Sequence, residues 1–119
     1  MQYSKHGNNF VLKLEMGESM IDSLRNLCQK EKITSGFVNS GIGAFSETEI
    51  GYLKGNEHVK MIFGKRMEIN SISGPVSNGP AGVHIHFSGS DEEFHVHGGH
   101  LFSAIANPMA EIFITKFPE

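Results

Sequence analysis

The chain has 119 residues, with ten Lys or Arg against thirteen Asp or Glu and a formal charge of -3, and it has no basic run longer than Lys65-Arg66. This gives no compositional support for binding nucleic acid through its phosphates, and a single cysteine excludes both an intrachain disulfide and a multi-cysteine metal site. The length predicts one domain over 1–119, and fourteen glycines with nine phenylalanines and no tryptophan point to a strand-rich fold, α+β or all-β.

Residues 1–9 are polar, lack an apolar export segment and are expected to be flexible. Phe10-Val11-Leu12-Lys13-Leu14 reads as the first strand. Met20, Ile21, Leu24, Leu27 and Cys28 recur at helical spacing and predict the main helix, ending between Lys30 and Lys32. Glu18 and Asp22 at its start and Lys30 and Lys32 at its end suit the helix dipole. Cys28 is then a small apolar packing residue. No stretch is long and apolar enough for a bilayer span, so a cytoplasmic location with no membrane partner is the expectation.

Residues 37–45 contain Gly41, Gly43 and Ala44, which mark a bulge or a place where another backbone or a ligand comes close. The run resembles a phosphate loop only weakly, because no Gly-Lys-Ser/Thr follows and Ser46 stands where Gly-x-Gly-x-x-Gly needs its last glycine. Residues 48–53 alternate as a strand, Gly55-Asn56-Glu57 turns the chain, and His58 is expected to be exposed beside that turn. Residues 59–63 form a short strand and residues 67–76 a longer one, with Met67, Ile69 and Ile72 inward and Glu68 on the opposite side. Glu68 is thereby a weak catalytic candidate, a general base or a partner to a histidine, set against its commoner role as a solvated strand residue.

Five of the seven histidines lie between positions 84 and 100, after the loop at 77–82. Val83, Ile85 and Phe87 alternate with His84 and His86, so the sequence predicts a core face and an imidazole face. Residues 88–93 are turn formers, and residues 94–97 alternate again, which predicts an antiparallel hairpin. Clustered neutral imidazoles suit zinc, copper, iron or nickel, whereas isolated histidines on a strand are more often solvated or hydrogen-bonded. The spacing matches neither a zinc finger nor a His-Glu-x-x-His site. If His86 faces His95, four imidazoles share a face and His100 lies on the other. If instead His84 faces Val96, His100 joins His84 and His86, and a bulge at Gly98-Gly99 is a further way to re-aim it. Residues 101–106 and 110–117 are expected as two closing strands joined through Asn107-Pro108-Met109.

From about residue 10 to 117 the order of motifs resembles the PPC (plants and prokaryotes conserved) domain of small single-domain prokaryotic proteins. The pieces are Leu12-Lys13-Leu14-Glu15-Met16-Gly17-Glu18, Ser40-Gly41-Ile42-Gly43-Ala44-Phe45-Ser46, Glu68-Ile69-Asn70-Ser71-Ile72-Ser73-Gly74, His84-Ile85-His86 and Gly98-Gly99-His100-Leu101. The resemblance implies an α+β fold, a mainly antiparallel sheet with one flanking helix, and assembly as a homotrimer. It also implies a three-histidine divalent metal site, typically zinc, which falls here on His84, His86 and His100; the open strand register, not the resemblance, makes His97 the first substitute. The family leaves His95 and His97 unassigned.

Three roles follow as expectations: a metal-binding module, a metal-dependent enzyme acting on a small molecule, or a DNA-associated regulator. Plant members join this domain to AT-hook motifs, and prokaryotic relatives are often labelled as predicted DNA-binding proteins. This sequence has no Arg-Gly-Arg-Pro core.

Overall fold

Seven strands, all paired antiparallel, and one helix make up the computed structural model, which describes residues 1–119. In chain order they are β1 (Gln2–His6), β2 (Asn9–Leu14), α1 (Met20–Lys30), β3 (Gly36–Lys54), β4 (Glu57–Phe63), β5 (Met67–Val76), β6 (His86–Ser90) and β7 (Val96–Lys116). The fold is α+β, with a mainly antiparallel sheet and one helix. The pairings β3–β7, β7–β6, β6–β5 and β5–β3 close on themselves, while β1 and β2 extend the sheet from β7 and β4 extends it from β3.

The core follows from alternation. Phe10, Leu12 and Leu14 of β2 are buried while Lys13 is exposed, and Leu12 stands opposite the buried Ile112 of β7. Helix α1 is capped by Ser19, whose hydroxyl accepts from the Asp22 amide at 3.3 Å, and it buries Met20, Ile21, Leu24, Leu27 and Cys28 against β7 and β2. Complete burial of a leucine such as Leu24 contributes about 1.5–3 kcal/mol. On β5, Met67 and Ile72 both face the core although their parity differs, because a register shift between Ile69 and Ser71 turns the strand over.

Several boundaries differ from the sequence reading. Residues 1–9 were expected to be flexible, but Gln2–His6 is an edge strand along β2, held by Tyr3 packing on Phe10 and by Lys5 donating to Glu31 at 3.3 Å. The strand expected at 48–53 and the glycine-marked run at 37–45 before it are one strand, β3, which bends through four register shifts along β7. At Gly43 (φ 109°) a Cβ would stand 2.3 Å from the Met109 carbonyl oxygen, so the expected close approach is by backbone. Residues 107–109 do not form a loop, since β7 continues through the cis Asn107-Pro108 bond and pairs Ala110 with Gly43. The first arm of the hairpin starts at His86, with Val83 only bridging Val76, and Phe94 sits exposed in the connection at φ 66°.

Candidate metal centre

His84 lies on the approach to β6, where the His84 amide donates to the Pro75 carbonyl at 3.0 Å. Position 74 opposite must be glycine: φ is 147°, and a Cβ there would stand 2.0 Å from the His84 carbonyl oxygen. The next carbonyl, that of Ile85, accepts from the Leu101 amide at 2.8 Å and ties the segment to β7. Ile85 and Phe87 are buried, so the intervening His84 and His86 point outward and are exposed.

The register of β6 against β7 is neither of the two pairings weighed from the sequence. His86 stands opposite His100, Gly89 opposite His97 and Ser90 opposite Val96. The cause is the connection at 91–95. The Asp91 carboxylate accepts from the amides of Glu93 and His95, both at 2.9 Å, and the Asp91 amide donates to the His95 carbonyl at 3.0 Å. That five-residue closure sets the ladder, and His100 comes to the outward face beside His86.

His84, His86 and His100 can present ring nitrogens that all lie within 4.8 Å of one another. His84 stacks on His86 at 5.5 Å between centroids, and His100 stands edge-on to His84 at 4.5 Å and to His86 at 5.7 Å. Nitrogens on a tetrahedral zinc at about 2.0–2.1 Å stand roughly 3.3 Å apart, inside the 4.8 Å limit within which the three rings present theirs. Burial first, then positive charge on His84, His58, His86 and Lys60, lowers the His100 pKa below the ordinary histidine value. This favours the neutral imidazole that a metal needs. The donor set fits a divalent ion.

The other candidates lie elsewhere. The His97 Nε2 donates to Asp91 at 2.9 Å, and its ring packs on Phe63 at 4.6 Å. With the His97 bond foremost and the His95 amide next, the Asp91 carboxyl is held down to about 2. His95 is exposed, with Nδ1 3.7 Å from Asp91. Glu68 is exposed and stands opposite Ser90, four strand positions from His86, or about 13 Å along β6. It borders a cleft with Arg66, Pro108 and Met109. The residue that the sequence reading missed is His58. It is exposed beside the turn as expected, yet its ring lies 5.3 Å from His100 and 5.2 Å from Phe102. No local pattern reveals this, because it depends on β3 pairing with β4 on one side and β7 on the other.

The model of the Plants and Prokaryotes Conserved (PCC) domain matches residues 1–118. The chain belongs to this family. Among solved structures, a PPC protein from Pyrococcus horikoshii is 30% identical with a TM-score of 0.86, covering 99% of this chain and 83% of its own. A metal-containing protein from Archaeoglobus fulgidus is 30% identical with a TM-score of 0.82, covering 98% and 84%. A protein from Bacteroides thetaiotaomicron, provisionally labelled DNA-binding, is 26% identical with a TM-score of 0.90, covering 99% and 85%. The PPC domain also matches a curated relative, the Bifunctional protein GlmU of a Synechococcus strain, at 29% identity over 112 residues; it spans 92% of this chain but only 17% of that protein.

Proposed function

We propose that this PPC-domain protein is a homotrimeric metal-binding module in which His84, His86 and His100 hold one divalent ion per chain, zinc as the family resemblance implies. The observation that carries this reading is the mutual approach of the three ring nitrogens to within 4.8 Å. The metal-containing Archaeoglobus relative supports it. A bound ion would supply Lewis acidity at a coordination position left open by three protein ligands. The chain's own part is to fix the ligands: the ladder places His86 against His100, and the Ile85–Leu101 hydrogen bond holds His84 beside them. Glu68 stands away from the triad, which favours binding over catalysis.

The edge strand β4 supports the trimer. Tyr52, Val59 and Met61 are each more than half exposed and share the face of the β3–β4 hairpin opposite to Lys60, an apolar surface that a second copy would cover. Elemental analysis of untagged protein together with its mass in solution tests both parts. One zinc per chain in a particle of three chains is expected, and a metal-free monomer that takes up no added zinc would overturn the reading.

A DNA-associated role rests on the label of the Bacteroides relative. The formal charge of -3 argues against direct phosphate contact, and a salt-dependent gel shift at micromolar protein is the result that would favour it.

A further inference from the structure

We propose that Lys60, with His58 beside it, forms an anion subsite next to the histidine triad, and that the ligand taken there is a small carboxylate. This rests on the metal reading above and names what the metal face would accept.

The placement comes from register. Lys60 stands opposite Gly51, Gly51 opposite His100, and His100 opposite His86, one transverse row across β4, β3, β7 and β6. Directly opposed residues share a face, so the lysine and two of the histidines lie on the same side of the sheet. Gly51 leaves a gap in the row that the Phe102 ring fills: a Cβ at position 51 would stand 2.4 Å from Phe102 Cε2. The Lys60 ammonium lies 4.0 Å from the centroid of that ring, and the ring packs on His100 at 4.4 Å. A single aromatic ring therefore touches both the ammonium and the triad, and it holds the ammonium in place by cation–π attraction. His58, two residues before Lys60 on β4, brings its ring to 5.3 Å from His100.

The cations of this face are not paired with carboxylates. The ion pairs of the chain involve the N-terminus, Lys5, Lys65, His95 and His97, so Lys60, His58 and the triad have no carboxylate partner. Glu49, two residues before Gly51 and opposite Ile62, shares this face but makes no ion pair with Lys60. A divalent ion on three neutral imidazoles next to an unpaired ammonium makes a net positive site, which attracts an anion. Phosphate sites gather several donors from a glycine-rich turn, a helix N-terminus or a guanidinium fork. Here one ammonium stands beside an aromatic wall, an arrangement that suits a carboxylate with a small organic group.

The test uses the full chain loaded with Co(II), which is counted first by elemental analysis and then followed by its visible spectrum. Acetate and inorganic phosphate are titrated separately at constant ionic strength. Wild-type protein is expected to show a saturable spectral change with acetate at lower concentration than with phosphate. Lys60→Met is expected to keep its Co(II) and its starting spectrum but to need about tenfold more acetate, equivalent to roughly 1.4 kcal/mol, with Lys60→Arg recovering most of the loss. Equal acetate titrations for wild type and Lys60→Met would overturn the subsite, and tighter binding of phosphate than of acetate would overturn the carboxylate assignment. Bound Co(II) with no response to acetate removes this proposal while leaving the metal reading intact. Wild-type protein that takes up no Co(II) removes both.

Discussion

His86 and His100 stand directly opposite one another in the β6–β7 ladder, with ring centroids 5.7 Å apart. A site built across a strand pair has its geometry fixed by backbone hydrogen bonds, so its two ladder members should be indispensable. His100→Ala is expected to weaken metal binding by more than the roughly 10–100-fold that loss of an outer partner costs. His97→Ala, which removes the partner of Asp91, should leave metal content unchanged. Elemental analysis of the two variants decides this, and unchanged metal in the His100 variant would sink the assignment.

Gly74 should be as sensitive as a ligand although it touches no metal. Its φ of 147° and the 2.0 Å between a Cβ there and the His84 carbonyl oxygen leave alanine no room without moving the His84 segment. Gly74→Ala is expected to lower stability by about 1–3 kcal/mol and to weaken metal binding with it. Denaturant unfolding and a metal titration on the same sample measure both effects.

The hairpin connection predicts an acid response. The His97 ring, then the His95 and Glu93 amides, hold the Asp91 carboxyl at about 2 against an ordinary value of 3.8. The carboxylate is bound better in the folded chain than in the unfolded one. Its stabilisation is therefore complete above pH 3.8 and is lost as the pH falls toward 2. Asp91→Asn should lower the melting temperature at neutral pH, and the gap between variant and wild type should close as the pH falls through this window.

In the core, Leu24 of α1 is completely buried against the sheet. Leu24→Ala should cost roughly 2–5 kcal/mol. Because the helix packs on β7 and β2 and not on the histidine face, any of the variant that remains folded should still bind metal. Chemical denaturation with a parallel metal count tests this separation of core and site.

Which side chains face inward and which outward is legible in the local pattern of the chain. Ile85 and Phe87 against His84 and His86, Phe10, Leu12 and Leu14 against Lys13, and the stripe Met20, Ile21, Leu24, Leu27 and Cys28 all read directly, because alternation and helical spacing are local properties of the chain. The motif order added the family, and with it His84, His86 and His100 as the residues to watch. Which strands are neighbours, and in what register, depends on long-range pairing that no local pattern carries. A slip by an even number of residues leaves every face unchanged, so the alternating pattern could not tell a pairing of His84 with Val96 from the observed pairing of His86 with His100. That choice was made by Asp91 closing its loop over five residues. For the same reason the glycine-marked run and the strand expected after it proved to be the single β3, and the polar start of the chain became β1 on finding an edge to pair with. His58 and Lys60 lie near His100 only because β3 lies between β4 and β7, which no local pattern records.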